Sequence, residues 1–126
     1  WRATCFFCFY WSLLVVQLRL FQHDLELPEF KHSRDTGHYD GELGFTACHF
    51  FLPEELRQAF SAQRVKILEM VGLEGLGSHH RKEVDQLAKN PKRWKTWLET
   101  HFQTCTHPAV VGISEHILIV SRKNKA

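Results

Sequence analysis

The sequence predicts an α/β fold in which a helical insertion joins two antiparallel strands. Two apolar segments, Val65–Val71 and His116–Ser121, are typical of strands. Helix-forming sequence lies before the first of them and fills the stretch between the two. Because Val65–Val71 and Ile117–Ser121 are apolar on two faces and flank one insertion, we expect them to pair antiparallel as neighbours.

Size and composition allow one small globular domain. The chain has 126 residues, of which 44% are apolar and 24% charged. A net charge of +2, with one basic cluster at Arg122-Lys123-Asn124-Lys125, gives no support to nucleic-acid binding. The four cysteines lack the spacing of a disulfide scaffold, so we expect reduced thiols and a cytoplasmic location.

The N-terminal segment is uncharged from Ala3 to Leu18. A membrane span needs about 20 apolar residues, and Arg19 ends this run early; no signal-peptide pattern is present either. A core helix or strand is the main prediction, and a membrane-associated or aggregation-prone segment is the alternative. Self-association through residues 5–18 is therefore expected. Since the chain begins at Trp1 and not at methionine, we also expect a fragment or processed product.

The stretch from His23 to Gly44 is polar and without apolar periodicity, which predicts a loop with a single helical turn near Glu29-Phe30-Lys31. A helix is then predicted from Pro53, because proline suits the first helical position and Glu54 and Glu55 follow it. The strand Val65–Val71 is expected to be largely covered, since only Lys66 and Glu69 interrupt its apolar faces.

The insertion contains the signals of two helices. The first is predicted from about His80 to Lys89, and Asn90 is expected to cap the second, with Pro91 at its first position. Apolar residues then recur at helical spacing and form a wide stripe, which packs on the domain or lines an aromatic pocket: Trp94, Trp97, Leu98, Phe102 and Cys105. Pro108 and Gly112 break the pattern before the last strand.

Three patterns could indicate binding chemistry, and each has a simpler structural interpretation. Gly72, Gly75 and Gly77 follow a strand, but in the order G-x-x-G-x-G, so a flexible strand exit is favoured over nucleotide binding. Cys5-x-x-Cys8 lies among phenylalanines without a second pair, which favours buried thiols over a metal or redox site. The nine histidines form no H-E-x-x-H motif, and no metal site is predicted.

Residues 28–123 resemble the carboxyl end of a class I S-adenosylmethionine-dependent methyltransferase of the bacterial small-molecule type. Gly44–Leu56 is similar to the stretch that introduces the last long helix there. Val65–Val71 with Gly72-Leu73-Glu74-Gly75 is similar to the next strand and its exit, and Gly112–Lys123 to the final antiparallel strand. Pro28-Glu29-Phe30 and Thr36-Gly37-His38 resemble the preceding loop of members with this helical insertion.

The resemblance implies a partial Rossmann-like methyltransferase fold, with residues 28–126 as its C-terminal portion and residues 1–27 poorly matched. The glycine-rich loop and the acidic residue that hold S-adenosylmethionine in the family are absent, so no cofactor is expected to bind this chain alone. The substrate-side role implies a small-molecule methyl acceptor. The residues expected to contact it are His38, Tyr39, His49, Glu74 and His116. The alternative is an inert remnant or a small interaction protein that docks through its apolar start.

Overall fold

The computed structural model of the chain describes residues 26–41 and 46–124 and, for residues 3–9, the backbone. The elements in chain order are β1 (Ala3–Phe9), α1 (Pro28–Thr36), β2 (His38–Tyr39), β3 (Cys48–His49), α2 (Pro53–Ser61), β4 (Val65–Gly72), a 3-10 turn (Gly75–Gly77), α3 (Arg81–Ala88), α4 (Pro91–Thr104), α5 (Pro108–Ile113) and β5 (His116–Lys123). The fold is thus of the mixed α/β kind that the sequence predicts.

The main sheet has three strands in the order β1-β5-β4, so the last strand of the chain lies between the other two. The predicted antiparallel pairing of β4 with β5 is confirmed, with Met70 opposite Ile119. β1 pairs with the other edge of β5, also antiparallel. β1 and β4 therefore run parallel to each other on either side of β5.

The hydrophobic core lies on one face of this sheet. The side chains of Ile117 and Ile119, on the central strand, are 0% exposed. Leu56 of α2, Met70 of β4 and Val111 of α5 complete the cluster. Burial of alternate residues along β5 follows from the two-residue period of a strand, which directs every second side chain to the same face.

β4 is less covered than its apolar sequence predicts. Leu68 is 44% exposed, and Lys66 and Glu69 are also exposed. A register shift between Ile67 and Glu69 removes Leu68 from the regular ladder, as in a β-bulge. Among the described strands β4 has β5 as its one neighbour, and the apolar pattern of a strand does not reveal whether that strand lies at the edge of a sheet.

The region predicted as a loop contains a nine-residue helix, α1, which includes the helical turn expected near Glu29-Phe30-Lys31 but is longer than one turn. Only Phe30 and Ser33 of this helix are buried, which is too few to give a visible apolar period. Gly37 ends it in the left-handed conformation at φ 71°, and its N–H donates to the Ser33 carbonyl at 2.8 Å. The Phe50 N–H then donates to the Gly37 carbonyl at 2.7 Å, which brings β3 beside the end of α1.

The predicted helices of the insertion are present as α3 and α4. The Asn90 side chain caps α4 as expected, accepting from the N–H groups of Lys92 and Arg93 at 3.1 Å each. The stripe on α4 is covered only in part, since Cys105 is buried but Phe102 is 71% exposed. α5 was not predicted, because a six-residue helix that begins with Pro108 and contains Gly112 has the local composition of a break.

The apolar N-terminal segment is a strand where it is described, which agrees with the core helix or strand predicted from composition. Residues 10–25, the side chains of residues 5–9 and with them the predicted self-association through residues 5–18 lie outside the described part of the chain. None of the described helices is long and apolar enough to cross a membrane.

Gly72 gives a direct test of how closely the end of β4 approaches α5 and Ser114. A Cβ at this position would lie 2.8 Å from the Ser114 Cβ and 3.1 Å from the Val110 carbonyl oxygen. We expect Gly72→Ala to lower the free energy of unfolding by about 1–3 kcal/mol, measured by urea denaturation. The control is Gly112→Ala, whose Cβ meets nothing within 4 Å; it should be neutral or stabilise by up to about 1 kcal/mol. Equal effects of the two substitutions would contradict the close approach at Gly72.

Candidate functional site

A pocket of about 460 Å³ lies between the 3-10 turn, α3, α4 and the start of β5. Its volume is within the range of small-molecule sites. The apolar side chains that line it are Leu73, Val84, Trp94, Trp97 and Leu98. The polar side chains are Glu74, His79, Arg81, His101, Glu115 and His116. The sequence prediction that Glu74 and His116 lie at strand ends agrees with their positions after β4 and at the first residue of β5.

The structure brings Glu74 and His116 into direct contact. The His116 Nδ1 lies 2.5 Å from Glu74 Oε1, and the His116 backbone N–H donates to Glu74 Oε2 at 2.9 Å. A carboxylate is an acceptor only, so this contact assigns the ring proton to Nδ1 and makes Nε2 the basic nitrogen of the imidazole. Both side chains remain about 30% exposed, at 31% for Glu74 and 28% for His116. The carboxylate thus orients the imidazole at the pocket wall.

Ser114 fixes the carboxylate of this pair. Its side chain is 0% exposed, and its hydroxyl donates to Glu74 Oε2 at 3.1 Å. The Ser114 Oγ also accepts hydrogen bonds from the backbone N–H groups of Glu74 and Gly75, at 3.2 and 3.0 Å. One buried hydroxyl therefore joins the turn after β4 to the residues before β5. Sequence reasoning did not single out Ser114, and no local signal separates it from an ordinary loop serine.

A second acid–histidine pair lies at the rim of the same pocket. His79 has a positive φ of 63°, which is unusual for a residue other than glycine. Glu115 Oε1 accepts from the His79 backbone N–H at 2.9 Å and lies 3.2 Å from His79 Nδ1. Such a backbone conformation costs about 1–3 kcal/mol, which the two contacts to Glu115 offset. The Glu115 N–H in turn donates to the Ser78 hydroxyl at 3.2 Å.

The glycines after β4 have a packing role. Gly75 adopts φ 53°, and a Cβ there would lie 3.0 Å from the His101 Nδ1. A Cβ at Gly77 would lie 3.1 Å from the Trp97 ring and from a Val84 methyl group. The segment predicted as a flexible exit is a 3-10 turn. Because glycine has no side chain, Gly75 and Gly77 allow α4 to approach this turn closely.

The other predicted contact residues form a separate group on β2 and β3. His38 lies opposite His49 in this two-stranded sheet, and the His38 Nε2 is 3.3 Å from Asp40 Oδ1. Tyr39 is buried, and its ring lies 6.3 Å from that of Phe50. Of the described residues, those that line the pocket do not include His38, Tyr39 or His49. These three residues stay predictions, and the structure does not bring them to Glu74 and His116.

Metal binding and a nucleophilic cysteine are two further chemistries that the described residues could offer. Ligand atoms of Glu74, Glu115 and His116 lie within 4.8 Å of one another, a spacing that a metal ion could use. Glu74 already accepts hydrogen bonds from Ser114 and His116, and this arrangement fits an oriented imidazole better than a metal ion. Burial raises the pKa of the Cys48 thiol, which disfavours the thiolate that a nucleophilic cysteine needs. Cys48 and Cys105 are free thiols, as expected.

Comparison with known proteins found no matching family model, no matching curated sequence and no matching solved structure. The resemblance to class I methyltransferases therefore remains a prediction from the sequence.

Removal of the Ser114 hydroxyl tests its structural role. In Ser114→Ala the N–H groups of Glu74 and Gly75 lose their acceptor, and a buried unsatisfied donor costs about 1–3 kcal/mol. We expect a loss of that size in the free energy of unfolding by urea denaturation. The matched control is Thr96→Ala, since the Thr96 hydroxyl is exposed and donates only to a carbonyl of its own helix. A Ser114→Ala protein as stable as Thr96→Ala would contradict this role.

Proposed function

We propose that this chain is the C-terminal, substrate-side portion of an S-adenosylmethionine-dependent methyltransferase that acts on a small molecule. The observation that carries the proposal is the Glu74–His116 pair, which stands in a ligand-sized pocket at one edge of the sheet. An imidazole oriented by a carboxylate is a common arrangement for taking a proton from a nucleophile. We place the protein in the cytoplasm, where Cys48 and Cys105 remain reduced.

The strand arrangement supports this placement of the site. β1 and β4 run parallel, and their carboxyl ends, Phe9 and Gly72, lie beside His116 and Ile117 at the start of β5. Ligands of open α/β sheets bind outside the carboxyl ends of the parallel strands. The pocket that contains Glu74 and His116 lies at this edge. A final strand that runs antiparallel between its neighbours is also consistent with the resemblance seen in the sequence.

The turn after β4 does not fit the cofactor. The turn after β4 uses Gly75 and Gly77 for contact with α4, and the acidic residue in that turn, Glu74, is held by Ser114 and His116. The N–H groups of Glu74 and Gly75 also donate to Ser114, which disfavours this turn as a site for the carboxypropyl and ribose groups. In this proposal the described residues serve the methyl acceptor and do not hold the cofactor.

The roles of the two residues follow from their hydrogen bonds. His116 accepts the proton of the acceptor's nucleophilic atom, and Glu74 is a positioning residue that fixes the imidazole and stabilises its protonated form. General-base catalysis of this kind contributes about 10²–10⁴-fold to a rate. The Ser114 hydroxyl keeps the carboxylate in place.

The isolated chain of residues 1–126 should not bind S-adenosylmethionine measurably, because the described residues lack the groups that hold it. Calorimetric titration of the cofactor into the purified chain checks this expectation. A dissociation constant in the micromolar range would show that the cofactor-binding half had been assigned wrongly.

The proposed methyl transfer is tested with the protein expressed from the full reading frame that includes this chain. We expect it to transfer a labelled methyl group from S-adenosylmethionine to a compound in the low-mass fraction of a cell extract. His116→Ala should lower the rate about 10²–10⁴-fold. The control is His80→Ala, since His80 is 67% exposed and is not among the described residues that line the pocket.

If the full-frame protein neither binds the cofactor nor transfers a methyl group, the proposal is overturned. The alternative, an inert remnant or an interaction protein that docks through residues 5–18, would then be favoured. The side chains of that segment lie outside the described part, so the structure adds no observation for this alternative.

A further inference from the structure

One wall of the pocket is aromatic. Trp94 and Trp97 lie about one turn apart on α4, are half-buried, and both line the cavity. The His101 ring lies 6.3 Å from the Trp97 ring with an angle of 33° between the planes. Three flat rings on one helix face offer π surfaces to a planar ligand, and offset stacking is a favoured contact between aromatic rings.

This wall is held in place by the glycine turn. Trp97 approaches the backbone so closely that a Cβ at Gly77 would lie 3.1 Å from its ring, and Gly75 makes a similar approach to His101. Backbone contact of this kind fixes the positions of the rings before a ligand arrives. A preformed surface binds without the cost of ordering its side chains, so the wall is suited to ligand recognition.

The lining of the pocket also contains hydrogen-bond acceptors. It carries the carboxylates of Glu74 and Glu115, each in contact with a histidine. Arg81, at the start of α3, is the one arginine or lysine among the described residues that line the pocket. The two carboxylates offer acceptors to a ligand that donates hydrogen bonds and disfavour a ligand that brings another carboxylate.

From these observations we infer that the pocket binds a planar aromatic molecule with a hydroxyl or amine donor, its ring against Trp94 and Trp97 and its donor toward Glu115 and the Glu74–His116 pair. Aromatic carboxylates are disfavoured by the negative charge of Glu74 and Glu115. The inference rests on the proposed function, because it names the class of methyl acceptor for the same site. The binding itself needs only the described residues and no cofactor.

Two probes with the same bicyclic ring test the inference on the chain of residues 1–126. We expect 2-naphthol to bind in a saturable manner and about ten-fold more tightly than 2-naphthoate, measured by calorimetry. Nuclear magnetic resonance should show that 2-naphthol shifts the indole N–H signals of Trp94 and Trp97. Equal or tighter binding of 2-naphthoate, or absence of saturable binding of 2-naphthol, would overturn the inference.

Variants locate the binding. Trp97→Phe keeps an aromatic ring in the fold but reduces the stacking surface, and it should weaken 2-naphthol binding about three- to ten-fold. Phe102→Ala is the matched control on the same helix, because Phe102 is 71% exposed and is not among the described residues that line the pocket. Glu115→Gln removes one negative charge from the pocket and should reduce the ratio of the dissociation constants of 2-naphthoate and 2-naphthol. An equal loss in Phe102→Ala would show that binding is not in this pocket.

The outcome for the acceptor is separate from the outcome for the enzyme. Methyl transfer by the full-frame protein together with failure of the naphthol test would leave the methyltransferase proposal intact and show that the acceptor class is wrong. Naphthol binding without cofactor binding by the full-frame protein would support the aromatic site and overturn the methyltransferase proposal.

Discussion

The buried hydroxyl of Ser114 is the contact on which the site depends. It accepts hydrogen bonds from the backbone of Glu74 and Gly75 and donates to the Glu74 carboxylate. The turn after β4 is thereby bound to the residues that begin β5. Gly72 permits this approach, because a larger residue would collide with the Ser114 side chain. Strand pairing and the Glu74–His116 contact therefore share one local arrangement.

The insertion between β4 and β5 gives this junction its pocket. β4 and β5 are neighbouring antiparallel strands, so the chain that leaves Gly72 must return to nearly the same point at His116. The intervening helix α4 carries the aromatic wall over that point, and α3 adds Arg81 and Val84 to the lining. Polar groups of the strand ends and apolar groups of the insertion thus face the same cavity, a combination that suits a small amphipathic ligand.

The two carboxylates at this junction, those of Glu74 and Glu115, make different contacts. Glu74 is satisfied by Ser114 and His116 and has a positioning role. Glu115 holds His79 in a left-handed backbone conformation, so its contacts shape the rim of the pocket. Left-handed conformations of residues other than glycine occur often at functional sites, where surrounding contacts maintain them. The rim and the base of the pocket are therefore both fixed by acid–histidine contacts.

Elements with strong local signals were predicted correctly from the sequence. Pro53 with its acidic neighbours began α2, and Asn90 capped α4 as expected. The apolar runs of β4 and β5 also indicated their pairing. α1 was missed because it buries only Phe30 and Ser33, and α5 because its proline and glycine are typical of a break. The burial of β4 and the exposure of Phe102 depend on which elements pack against them, and the local sequence does not specify that packing.

The sequence by itself determined the residue types at the strand ends, and with them the candidates Glu74 and His116. It did not determine that the Glu74 carboxylate accepts hydrogen bonds from His116. The two residues are 42 positions apart and meet only when β4 and β5 pair. The sequence equally offered His38, Tyr39 and His49, which the tertiary structure assigns to a separate two-stranded sheet. Helix and strand signals arise from neighbours along the chain, whereas a pocket arises from contacts between distant segments; only packing decides which candidate residues meet.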